Sequence, residues 1–186
     1  MKEALTKALV GSVKDAFKAM FSIDLVDGDM PHDHVVDAEL ICTIGLAGKM
    51  EGSVSVALPE RSACVIVSKM LCTEMTEISP DVCDGMGEIA NVVAGGIKMR
   101  TVQLNCPFQV SIPTVVQGKR MHLNVADGLE KIIRHFEGDG FSFDVEFVYK
   151  IAAVVGPDEP KAAEASSKMS AFEKLKAMTA KAGSSV

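Results

Sequence analysis

The chain has 186 residues, 48% of them apolar and 24% charged, and carries a net charge of −6. That length allows one domain of roughly 150 residues, large enough to bury a core without staples, plus an appendage. The acidic balance excludes a nucleic-acid backbone or an anionic membrane surface as the main partner. Five cysteines (Cys42, Cys64, Cys72, Cys83 and Cys106) show no C-x-x-C spacing and fall mostly in apolar runs, where a free cysteine acts as a small hydrophobe. Met1 to Leu9 lacks the continuous apolar region of a signal peptide, and no apolar run approaches the roughly 18 residues of a membrane span. A cytoplasmic, reducing setting is therefore expected.

Leu5, Leu9, Val13, Phe17, Met20 and Phe21 recur at helical spacing, so residues 3–23 open the chain as an amphipathic helix. The stretch DGDMPHDH, 27–34, is turn-rich and polar. Val36–Leu46 and Gly52–Leu58 read as two strands joined by AGKME. Residues 60–72 suit a helix whose leading Glu60 complements its dipole. At 79–100, Ser79 is a good N-cap, Pro80 fits the first helical position and Asp81 the first turn. FQVSI and TVVQG, 108–112 and 114–118, are strand-like on either side of Pro113, which removes a ladder donor. Leu129–Phe136 and Phe141–Ile151 follow as a closing hairpin around EGDG, and the alternation of the second strand suits an exposed edge.

From Gly156 the composition turns to Ala, Lys, Ser and Glu, with few large apolar groups. The organisation expected is a domain over 1–155 and a flexible tail over 156–186, with a short helix near Phe172 to Met178. Helices and strands are segregated, which makes the class α+β: an antiparallel-rich sheet with helices packed on one face.

The helix at 79–100 carries polar groups in a line. With Asp84 at zero and 100° per residue, Glu88 falls at about 40°, Asn91 at about −20° and Gly95 at about 20°. Val82, Met86, Ile89, Val93 and Ile97 lie opposite, within about 40° of 180°. A solvated face is the plain reading of such a stripe. Against it, Asp84 and Glu88 have no cation three or four positions along, and AGG inside a helix costs about 1 kcal/mol per glycine relative to alanine. Those glycines, Gly95 and Gly96, leave a flat, bare surface beside Asn91, suited to the close approach of a partner, with Gly95 on the polar line itself.

The run DGMGEIANVVAG, followed about twenty residues on by Pro113, resembles the signature of the CheC/CheX/FliY phosphatases of bacterial chemotaxis. That signature is Asp or Ser, three residues, Glu, two residues, Asn, and a later proline; Asp84, Glu88, Asn91 and Pro113 match it. One such helix is present, as in CheX-like members. The resemblance implies a CheX-like fold and hydrolysis of the aspartyl phosphate of a CheY-like response regulator. It makes Asn91 the residue that positions water and Glu88 the anchor for the regulator's lysine, with Asp84 docking or orienting. The regulator would supply the Mg²⁺, so no cofactor of the chain's own is expected, and a homodimer built by strand pairing is. A non-catalytic adaptor that docks the same face on a receiver or a flagellar switch component is the rival reading; the retained amide favours catalysis.

Asp27, Asp29, His32, Asp33, His34 and Asp37 hold ligand types for a transition metal. No second cluster completes a closed site, so a solvated loop is the preferred reading. His122 and His135 have no evident nucleophile partner.

Overall fold

The computed structural model describes residues 1–30, 38–125 and 127–151. Within them the chain runs α1 (Lys2–Phe21), β1 (Val26–Asp29), β2 (Ala38–Gly48), β3 (Met50–Leu58), α2 (Glu60–Leu71), α3 (Pro80–Thr101), β4 (Phe108–Val110), β5 (Thr114–Met121), β6 (Glu130–Gly138) and β7 (Phe141–Ile151). The expected elements are present, with boundaries moved by a few residues. The expected tail and its short helix lie outside the described residues, as do His32, Asp33, His34 and Asp37.

The strands form one antiparallel sheet in the order β1-β6-β7-β3-β2, and both β4 and β5 pair with the far side of β2. Alternation along the strands sends Leu40, Cys42, Ile44, Val54, Val56, Phe143, Val145 and Phe147 to one face. Leu5, Leu9, Val13 and Phe17 of α1, Ile66 and Val67 of α2, and the apolar side of α3 close over that face. A stack of Phe17 on Phe143 (5.0 Å between centroids) and of Phe143 on Phe136 (5.3 Å) ties α1 to the sheet. The helices-on-one-face α+β arrangement read from the segregation of elements is the one observed.

The edge assignment needs correction. Phe141–Ile151 is not an edge: β7 is paired with β3 on one side and β6 on the other. Alternation reports which face a side chain takes, not how many neighbours its backbone has. Among the described residues the outer strands are β1 at one side and β4 with β5 at the other.

The acidic turn also holds more order than its composition suggests. Val26–Asp29 is a short strand on β6, fixed by Arg134, which pairs with both Asp27 and Asp29. Lys14 of α1 reaches Asp27 at 2.5 Å. That ammonium, opposed by burial and aided by Arg134, holds the Asp27 carboxyl below the usual aspartate range. Asp27 and Asp29 are thus committed to a structural ion cluster. The cysteines follow their apolar contexts: Cys42, Cys64 and Cys106 are core residues, and burial pushes the Cys42 thiol up to about 12.

Candidate functional site

Helix α3 begins as its sequence dictates, with Ser79 in extended backbone and its Oγ accepting from the Val82 amide at 3.3 Å. The preceding loop is pinned by Glu60, whose carboxylate accepts from the Ile78 amide at 3.0 Å. A second carboxylate, Glu39 of β2, accepts from the Glu60 amide at 2.9 Å and so caps α2. Two acids therefore set where α2 and α3 start on the sheet.

Val82, Met86, Ile89, Val93 and Ile97 are all fully buried, and this fixes the rotation of α3. The opposite line follows: Asp84, Glu88 and Asn91 are exposed. Among the described residues none of the three is in an ion pair or hydrogen bond. Two carboxylates and an amide stand free along one line of a rigid helix. About 10 Å separates Asp84 from Asn91 along the axis, at 1.5 Å per residue.

Neighbouring elements frame this line. A groove of about 210 Å³ lies beside Asp84 and Glu88, lined also by Met70 and Leu71 of α2, Asp81 and Gly85. Gly85 lets α2 come close, since a Cβ there would sit 3.0 Å from Val67 Cγ2. On the other flank, a Cβ on Gly87 would lie 3.6 Å from Pro113 Cβ. Pro113, read from the sequence as a strand breaker and as the proline of the family signature, packs against α3 one turn before Asn91. It breaks the β4–β5 edge where β2 still needs partners. Ser111 supplies them, its amide donating to the Gly45 carbonyl at 2.9 Å and its Oγ accepting from the Gly45 amide at 2.9 Å.

The glycines divide. Nothing lies within 4 Å of where a Gly95 Cβ would be, so bare surface does adjoin Asn91. Gly96 is different, because a Cβ there would meet Ser12 Cβ of α1 at 3.0 Å. Half of the glycine pair serves an internal helix crossing rather than a partner. Periodicity places Gly96 off the stripe but does not reveal that α1 crosses there.

Sequence reasoning missed further exposed groups on this face. Val92, Met99 and Val102 are 43%, 74% and 65% exposed, and Ile112, next to Pro113, is 83% exposed. The arithmetic that found the polar line also places the first three beside it. The signal was an apolar residue on a polar face.

An antiparallel sheet with helices packed on one face is the arrangement of the CheC-like α+β class. A CheC-like superfamily protein from Shewanella sp. PV-4 superimposes with a TM-score of 0.74 at 25% identity, covering 81% of this chain and 99% of that one. Residues 40–137, more than half of the chain, match the family model for the chemotaxis phosphatase CheX, and the chain belongs to that family. It is 26% identical over 132 residues to the CheY-P phosphatase CheX of Thermotoga maritima, spanning 66% of this chain and 81% of that protein. The fold is also that of the CheX in a CheX–CheY–BeF₃–Mg²⁺ complex from Borrelia burgdorferi, with a TM-score of 0.66 at 19% identity over 78% of this chain and 97% of the other.

Proposed function

We propose that this chain hydrolyses the aspartyl phosphate of a CheY-like receiver domain. The observation that carries the reading is the free line of Glu88 and Asn91 on α3, which nothing within the described residues uses. The activity of the Thermotoga relative, a CheY-P phosphatase, supports it.

The chemistry asks little of the phosphatase. Water attacks phosphorus in line, the bond from phosphorus to the receiver's aspartate oxygen breaks, and carboxylate and inorganic phosphate leave. Catalysis is then chiefly positioning. Asn91 suits this because a neutral amide accepts from the water through its oxygen and donates elsewhere through its nitrogen. Glu88, one turn earlier, anchors a cationic lysine of the receiver by a charge-assisted hydrogen bond. Asp84 adds negative potential that steers the same lysine, and Gly95 allows close approach. Mg²⁺ belongs to the receiver in this scheme, and the chain contributes no cofactor. The reaction takes place in the cytoplasm. A homodimer formed by strand pairing uses the outer edge of β5, since β7 is paired on both sides.

The test is phosphate release from purified phosphorylated receivers, wild type against Asn91→Ala. Losing a preorganised polar group at a reacting centre should cost about 10²-fold or more, or about 2.7 kcal/mol of barrier. An Asn91→Ala chain that still worked at the wild-type rate would end the assignment.

A further inference from the structure

We infer that the receiver is gripped through an exposed apolar patch around Gly95, formed by Val92 and Met99 on the second half of α3 and by Val102 immediately beyond its end. This rests on the phosphatase reading above and deepens it: it states where the binding surface lies and what surface the partner must bring to it.

The polar line is too small to be the interface. A specific protein–protein contact buries about 800 Å² per partner, a patch some 30 Å across, whereas Asp84 to Asn91 spans about 10 Å. The partner must extend beyond it. With Asp84 at zero, Val92 lies at about 80°, Gly95 at about 20°, Met99 at about 60° and Val102 near 0°, so the patch continues the same face. From Glu88 to Val102 is about 21 Å along the axis, the reach of one small domain.

Single exposed hydrophobes need no explanation, but these three, 43%, 74% and 65% exposed, fall within about 80° of one another on the side where Gly95 leaves open space. Its borders are polar and already committed. Lys98 donates to Gln109 Oε1 at 3.0 Å, and Arg100 pairs with Asp15 of α1. An apolar centre inside a polar rim is the layout of a docking surface, and a methionine at its middle adapts to the facing shape. Along α3 the face therefore runs from acid and amide to apolar. The matching receiver presents its lysine and phosphoryl group at one end and an apolar surface that begins about 6 Å from the lysine and extends to about 21 Å.

The experiment measures binding of a beryllofluoride–Mg²⁺-loaded CheY-type receiver, together with steady-state phosphate release, for the full chain and for Met99→Glu, Val102→Asp and Met99→Leu. Met99→Glu and Val102→Asp should each weaken binding by about tenfold or more and raise KM similarly, leaving kcat within about twofold; Met99→Leu should bind nearly as the wild type. Wild-type affinity in both charged variants overturns the patch while an inactive Asn91→Ala leaves the phosphatase reading standing. If the wild type neither binds nor dephosphorylates any receiver, both readings fall. Sedimentation of the chain alone gives the remaining outcome. Should Met99→Glu dissociate a dimer, the patch is a contact between copies and this assignment is wrong.

Discussion

Adjacent glycines on α3 should respond to alanine in opposite ways. Gly95 faces open space, so Gly95→Ala removes a helix-interior glycine at no steric cost and should gain about 0.8–1 kcal/mol. For a domain of about 150 residues that raises Tm by about 2–4 °C. Gly96→Ala collects the same propensity gain but drives its Cβ to 3.0 Å from Ser12 Cβ and 3.1 Å from Ser12 Oγ. Ser12 cannot turn away freely, because its Oγ donates to the Ala8 carbonyl at 2.6 Å and its residue is buried. Helix α1 must move instead, and overpacking of this kind costs about 1–3 kcal/mol. The two variants should therefore differ by about 2 kcal/mol, or about 4–8 °C. Thermal melts followed by circular dichroism would resolve that gap. If Gly96→Ala melts as high as Gly95→Ala, α1 does not cross α3 at this glycine and the packing described is wrong.

Two other perturbations separate docking from folding. Glu88→Lys should leave the melt unchanged, since Glu88 is exposed with no partner among the described residues, yet weaken receiver binding at least about tenfold through repulsion of the receiver's lysine. Raising the salt concentration should weaken wild-type binding as well, and titration calorimetry at two ionic strengths checks both. Asp27→Asn strips the carboxylate from Lys14 and leaves Arg134, whose side chain is only 12% exposed, with Asp29 alone, and should cost about 2 kcal/mol near neutral pH. Because the Asp27 pKa is depressed in the fold, its stabilisation is complete above the ordinary aspartate range near 3.9 and is lost as pH falls through the folded value. Denaturant melts of the two proteins should therefore converge in acid; a gap that persisted there would rule out the ion cluster as its source.

The exposed polar line of the candidate site was legible because helical periodicity is a property of the chain alone. Val82, Met86, Ile89, Val93 and Ile97 demanded burial, and once they were buried Asp84, Glu88 and Asn91 had to face outward. Ser79 and Pro80 set the start of that helix for equally local reasons. Alternation likewise marked most strands, and segregation of helices from strands gave the α+β class. Outside the closing hairpin, what escaped depended on a second segment distant in the chain. Phe141–Ile151 alternates like an edge strand but has β3 and β6 on its two sides. Asp27 and Asp29 look like a solvated turn until Arg134, more than a hundred residues away, arrives beside them. Local pattern marked Pro113 as a strand breaker but did not show that it packs beside Gly87, and Gly96 seemed bare until α1 crossed it. The sequence by itself determined which face each helix and strand turns inward, because burial of apolar groups is decided residue by residue. Only the tertiary structure decided which strands meet beyond the closing hairpin, which helix fills a glycine gap and which charges pair across the chain, because those energies belong to contacts between distant segments that local pattern does not encode.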